Sequence, residues 1–600
     1  MPKRQIEGFD AEDKEARKKL GVELSEMLES GILQKGNINT RARVNEAFYR
    51  NEPDKQGLKI TEESEPYHLN LVQPRVDAIV TKVCNPILSN RPYYAAIAFG
   101  EDASRNKQCE DTVQFFLENT RYQKKLREAT RIACLASPAI YRVIYIPPGH
   151  HEQFGLLPGP HIDVIHPNDF VLYPLVMGGL ESARMMAHRL SGGMRVREIK
   201  EKQKDESFFP GDVIGGDDPQ SWQSGRDREW SGTSESDGTQ DAEDRVVEVW
   251  EGLIKLDLNK DGFQEWYRFT LSRNDKLLLD LAPYGVQYED GSFVQFSRPW
   301  YFEHYVKPPM YGEFFCANSP AQDLQPLQGY FNDFMTLAME GCKMTALPTV
   351  FQKGGSLSQK VIKYGAGEIH EVPAGTEFEI LNVRFDPSIL PFVIQMLMTL
   401  ADSSVRISQA GLAGPQQSVK SDRATATEVT VQAQNMDEGA DEYRDNASMS
   451  GEKMCDFIRE LVYLHAWELS EFYDVSLPVE GFDALASPIR WEAVGKTMQS
   501  VPQVTIQQLQ TLMQMAPMLV NLAMTDPGGT ITGLLPKGIV RETLQKMHLT
   551  VPLEMIFQDG PPDPIAIQNL LAQQSGKVSP GASATNGEAS APAIPGLGPG

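Results

Sequence analysis

From about residue 424 to residue 473 the chain runs without a proline and keeps helical spacing. The second half of this run carries Phe457, Ile458, Leu461, Val462 and Leu464 on one face, the pattern of a helix packed on a core. The first half, TEVTVQAQNMDEGADEYRDNASMSGEKM, is polar on most sides. A helix that is polar almost all round bridges or lines something, because it has no apolar stripe to bury.

What precedes this helix has an order of its own. Ser319, Pro320 and Gln322 read as a helix start, with a capping serine, proline at the first helical position and a glutamine three residues on. Leu324, Leu327, Phe331, Phe334, Ala338 and Gly341 follow at three- and four-residue steps, predicting a helix over 319–343. Residues 346–385 change to short strands and turns (TVF, KVIKY, EIHEV, EFEIL), and 388–410 return to helix. Ala413-Gly414-Pro415-Gln416-Gln417-Ser418 then breaks the pattern. Two helices flanking a small β unit can pair antiparallel with that unit at their tip; an ordinary α+β domain also fits.

Upstream, helices are expected over 10–50, 65–90 (ended by Asn85-Pro86), 103–136 (one long helix) and 181–204. Strands are expected at Ile140–Ile146, His161–Ile165, 245–258 and 264–271, with aromatic-rich strands continuing to about 316. Residues 207–244 are acidic and rich in Gly and Ser, the composition of a mobile surface loop. Residues 500–524 and 536–547 read as helix, and 573–600, rich in Gly, Ser, Ala and Pro, as disordered. No internal repeat is visible.

Composition bounds the function classes. Apolar residues make up 41%, enough for packed cores. No signal peptide is read at the start, and the longest apolar stretch, 389–401, is too short to span a bilayer, so no membrane is expected. The six cysteines are scattered without a C-x-x-C pair, as buried free thiols in a reducing cytoplasm would be. A net charge of −24 argues against a protein that grips DNA by its phosphates, yet suits a conduit whose wall repels DNA.

Catalytic signatures fail on inspection. Asp257, Asn259 and Asp261 open like a calcium loop, but Arg268 stands where the bidentate acid belongs, so a hairpin turn is expected. Gly495-Lys496-Thr497 imitates the end of a phosphate-binding loop whose first glycine would be Arg490. The adjacent His150 and His151 have no further ligands in pattern. No catalytic constellation, metal site or cofactor motif assembles, and no enzyme is expected.

At four places the sequence resembles the portal proteins of tailed bacteriophages, closest to the large portals of short-tailed phages. EFFCANSPAQDLQPLQGYFNDFMTLAMEG resembles the entry into the portal stem, and Arg423–Val429 the start of the long helix after the tunnel loop. NLVQPRVDAIVTKVCNPILSNRPYYAAIA and HPNDFVLYP resemble elements of the wing. The order of these segments over roughly 10–560 carries the resemblance more than any one of them. The segment 207–244 has no counterpart in it, and the crown is short.

The resemblance implies an α+β portal-type fold. Residues 1–317 would be an α/β wing, 318–345 and 387–411 the two stem helices, and 346–386 the clip. Residues 412–423 would be the tunnel loop, 424–499 the long helix and the return to the wing, 500–572 a helical crown, and 573–600 a tail. It implies a ring, usually of twelve copies, at one capsid vertex of the virion. Double-stranded DNA would pass through without sequence-specific recognition, and the terminase large subunit, a head-to-tail adaptor, and the major capsid and scaffolding proteins would be partners. Gln416, Gln417, Ser418, Lys420 and Arg423 would face the channel, or form an ordinary solvated loop. Lys353, Lys360 and Lys363 would make the clip locally basic toward acidic partner surfaces. Leu324, Leu327, Phe331 and Phe334 would pack on neighbouring stem helices, or within one subunit. The competing readings are another connector or adaptor ring of the virion, a DNA-processing enzyme, and a scaffold unrelated to phage.

Overall fold

A computed structural model describes residues 9, 13–52, 70–89, 91–98, 103–150, 156–175, 179–213, 245–288, 292–307, 314–315, 319–346, 350–353, 369–372, 389–405, 426–473 and 489–494. The chain divides into two compact units, 1–500 and 501–600, and every described residue belongs to the first. That unit mixes helix and strand in an α+β arrangement.

It opens with α1 (Lys14–Gln34) and α2 (Gly36–Arg50), where a single helix is expected from sequence. The division falls at Lys35, whose ammonium is drawn into the interior to donate to the carbonyls of Pro167 and Phe170 and lies over the Phe315 ring. Next come α3 (Val72–Ser89) and β1 (Tyr94–Ala98). Pro86 does not end α3: Ile87, one residue further on, is fully buried, and its packing holds the last turn in place.

Residues 103–136 form α4 (Ala103–Asn119) and α5 (Tyr122–Ala136) in place of one long helix. Arg121 between them is left-handed at φ 54°, and the Thr120 hydroxyl donates to the Leu117 carbonyl at 3.0 Å. The break lets α4 pack on β1 while α5 packs on α2 and α3.

The strands β2 (Ala139–Ile146), β3 (Gly159–Ile165), β4 (Phe170–Tyr173), β5 (Met185–Arg189) and β6 (Met194–Arg195) follow, then α6 (Val196–Lys204). Helix is expected over 181–204, but only its last third is helical. Every residue of Met185–Arg189 is buried, held as a strand between β4 and β8 (Val249–Leu256). Pairing on both edges overrides local preference. After the short β7 (Val246–Val247), β8 forms a hairpin with β9 (Glu265–Ser272). Its turn places Lys260 at φ 60° and Gly262 at φ 89°, and the Asp257 carboxylate accepts the Gly262 N–H at 3.1 Å, as expected of a hairpin turn. The strands β10 (Leu277–Pro283), β11 (Gly285–Gln287), β12 (Phe293–Gln295) and β13 (Tyr301–His304) complete this region.

A five-stranded antiparallel sheet runs β10-β9-β8-β5-β4, with α1 packed on it through Leu20, Leu24 and Leu28. A three-stranded sheet, β13-β2-β3, lies against α5.

Then come α7 (Pro320–Ala346), β14 (Val350–Lys353), β15 (Ile369–Val372), α8 (Ile389–Ser404), α9 (Ala426–Leu464), α10 (Ala466–Tyr473) and β16 (Ile489–Ala493). The start of α7 is as read from sequence: the Gln322 N–H donates to Ser319 Oγ at 3.3 Å. β14 and β15 pair in parallel. The expected strands KVIKY and EFEIL, residues 406–410 of the expected second helix, most of 207–244 and all of 500–600 lie outside the described residues. The long helix divides at His465, whose ring stacks on Tyr145 at 3.6 Å, although its N–H still reaches the Leu461 carbonyl at 3.1 Å. At about 1.5 Å per residue, α9 spans about 58 Å. Its C-terminal half is buried through Tyr443, Ala447, Met454, Ile458 and Leu461, and β1 and β16 close an antiparallel pair beside it.

Candidate functional site: a two-faced helix pair

α7 and α8 pack against each other, and their roots are tied into the body. The Leu71 N–H at the head of α3 donates to Gln328 Oε1 at 2.6 Å, and Gln328 Nε2 donates to Asn332 at 2.8 Å. Asn45 of α2 donates to Ser319 Oγ at 3.0 Å. The strongest tie comes from Arg75 of α3. Its Nε donates to Asp402 Oδ1 at 2.9 Å, and Nη2 to the Met398 carbonyl at 3.2 Å, so one guanidinium grips the C-terminal turns of α8. A cation there also opposes the negative end of the helix dipole.

The inner face of the pair buries Phe331 and Leu397 with Leu71, flanked by Met335, Val393 and Ile394. The outer face also carries apolar side chains, and among the described residues these are exposed, with the exposed Asp333 beside them on α7. On α8, Phe392 (68% exposed), Met396 and Leu400 recur every four residues. On α7, Tyr330 (67%) and Leu337 (66%) lie seven apart with the half-buried Phe334 between them. α8 carries one charged residue, Asp402, in its 16. A helix apolar on both faces is normally enclosed on both. Burying a side chain such as Phe392 or Leu337 stabilises by about 1.5–3 kcal/mol, so this face can drive association.

Of the residues singled out in the sequence, Leu324 and Phe331 are fully buried inside this chain, Leu324 in the main core and Phe331 beneath α8. Leu327 is half-buried against the main core, and Phe334 lies toward the outer face. The packing of Leu324, Leu327 and Phe331 is therefore intramolecular here, and the uncovered apolar groups are neighbours that the sequence pattern did not single out. The four-residue recurrence of Phe392, Met396 and Leu400, and the near absence of charge in α8, were the available signals. Lys353 lies on β14; Lys360, Lys363, Gln416, Gln417, Ser418, Lys420 and Arg423 lie outside the described residues.

Titratable groups elsewhere are also buried. His304 lies between Ser450 Oγ at 2.8 Å and Thr130 Oγ1 at 3.1 Å, and burial lowers its pKa to about 3. Burial pushes the thiols of Cys84 and Cys109 up to about 11. Among the described residues no group of three or more His, Cys, Asp or Glu is placed to hold a metal ion, and no helix is long and apolar enough to cross a membrane.

No family model matches the chain, and no curated protein matches it.

Proposed function

We propose that this chain is a portal subunit. Copies associate in a closed ring at one capsid vertex of a tailed phage, with DNA moving through the centre during packaging and ejection. The observation that carries the reading is the uncovered apolar face of the α7–α8 pair. A helix pair rooted by Arg75 and Gln328, apolar on both sides, needs a neighbour on its outer side, and a second copy of the same pair supplies one. The order of elements supports it: helix, two short paired strands, helix, then the 39-residue α9. In this reading α7 and α8 are the stem, the segment holding β14 and β15 is the clip that docks the packaging motor and later an adaptor, and the chain before α9 is the tunnel loop. The net charge of −24 per copy keeps the duplex from adhering to the wall.

The test is negative-stain electron microscopy of the purified protein together with its mass in solution. Rings with a central hole and about twelve-fold symmetry are expected. A monomer that forms no ring even with scaffolding and coat protein present would refute the proposal.

A further inference from the structure

α10 turns Ala466 and Leu469 inward, and both are buried. At about 100° per residue, the opposite side of the helix carries Trp467, Glu471, Glu468 and Phe472, in that order around the axis. Trp467 is 51% exposed, and Glu471 and Phe472 are exposed beside it. Trp467 and Glu471 are four residues apart, so they stand one above the other, about 5–6 Å apart at Cβ.

This face continues into a wider apolar surface. Phe472 packs edge-on against Tyr473 at 5.0 Å, and Tyr473 meets Phe115 of α4 edge-on at 5.6 Å. The Tyr473 hydroxyl donates to the Pro158 carbonyl at 2.7 Å, which brings up Leu156 and Leu157 from the segment before β3. Phe115, Leu156 and Leu157 are all exposed. Three segments far apart in the chain thus place large apolar side chains around Tyr473, and a grouped set of this kind marks an interaction surface where single exposed residues do not.

The charges on this surface are mainly negative. Glu468 is engaged, accepting the Tyr145 hydroxyl at 2.8 Å and lying 3.6 Å from His465. Glu471 and Asp111, the latter one turn before Phe115, are exposed and form no ion pair among the described residues. Glu118, one turn after Phe115, holds Arg91 at 3.3 Å in an exposed pair of the kind worth about 0–1 kcal/mol. α10 has no cation; Lys107, two turns before Phe115 on α4, is exposed and opposes a basic ligand from that end.

We propose that this surface docks a basic amphipathic segment of a partner protein. An arginine of that segment lies over the Trp467 ring with its guanidinium on Glu471, and its aliphatic side chains cover Phe115 and Leu157. Tryptophan offers a cation the best aromatic face, and a carboxylate accepts two N–H groups of a guanidinium fork. Lysine fits this pairing less well, having no planar fork. A second copy of the chain, itself at −24, is the poorer electrostatic match. The binding does not depend on ring formation.

The test uses the full chain and a fluorescein-labelled peptide of repeating Leu-Arg-Arg-Leu, followed by anisotropy at about 0.15 M salt, where charge attraction alone is largely screened. The comparison probe has serine in place of every leucine and the same charge. The double variant Trp467→Ser, Glu471→Gln is set against Glu26→Gln, Glu206→Gln, which removes two exposed carboxylates elsewhere. The expected result is that the leucine-arginine peptide binds, that the first variant weakens it about tenfold or more, and that the second binds as the parent does. The serine peptide should bind more weakly and respond little to Trp467→Ser. Glu471→Arg alone, at an exposed position, should weaken binding in the same direction if the double variant does not fold. Three results would overturn the proposal: no binding by the parent, equal losses in the two variants, or serine and leucine peptides bound alike. A fall in the protein's own mass in solution on Trp467→Ser would also overturn it, by assigning the surface to a second copy.

Discussion

Arg75 and Asp402, 327 positions apart in the chain, meet at 2.9 Å where α3 supports the end of α8. Arg75 is 2% exposed, and it also donates to the carbonyls of Leu71 and Met398, so it fixes the end of α8 to the body. Arg75→Met would remove the hydrogen bonds that Arg75 gives to Asp402 and to the two carbonyls. The expected cost is about 2–4 kcal/mol in urea unfolding. Lys would not substitute, since it offers no planar fork. An Arg75→Lys protein as stable as the parent would contradict this role.

The outer face of α7 and α8 is predicted to hold copies together. Leu337→Glu with Phe392→Glu places charge on two side chains that are about two-thirds exposed in the single chain, so the fold should persist with a change near 0.5 kcal/mol or less. Assembly should be lost, read as a fall to monomer mass by light scattering. Leu324→Glu is the contrasting case: it places charge in the main core and should unfold the chain. An unchanged oligomer in the double variant would remove α7 and α8 from the interface.

Lys35 sets a pH dependence. Burial lowers its pKa from 10.5 to about 7, opposed by the nearby Asp169 carboxylate. Between about pH 7 and pH 10 the unfolded chain therefore holds a proton that the folded chain does not, and stability rises with pH over that window. Below about pH 7 both states are charged and this contribution is flat. The slope approaches about 1.4 kcal/mol per pH unit. Unfolding free energies at successive pH values for the parent and Lys35→Met should diverge in favour of the parent as pH rises; a constant difference would show that Lys35 does not titrate there.

Gly451 of α9 faces Tyr94. A Cβ at this position would stand 1.9 Å from the Tyr94 hydroxyl, which is buried and hydrogen-bonded to the Tyr122 hydroxyl at 2.7 Å. Gly451→Ala is expected to destabilise by about 1–3 kcal/mol, because β1 and α9 must separate to admit a methyl group. Helix propensity alone predicts the opposite sign, so thermal unfolding of this variant separates the two effects.

Some of the fold was legible in the amino-acid sequence. Ser319 and Pro320 start α7, Asn259–Gly262 turns the β8–β9 hairpin, and β2 lies where its apolar run predicts, because capping and turn dihedrals act over a few residues. The long helical pattern at the end was legible for the same reason, apart from its division at His465. Tertiary structure decided the rest. Met185–Arg189 became a strand because β4 and β8 supply partners that no local pattern reports. Thr120–Arg121 broke a continuous helical spacing because α4 and α5 bury their stripes against different elements. In α7 and α8 the sequence set the apolar residues, but only the position of Leu71, Arg75 and Gln328 decided which stripe turned inward and which stayed exposed. Periodicity records that a face is apolar; burial depends on what stands opposite it.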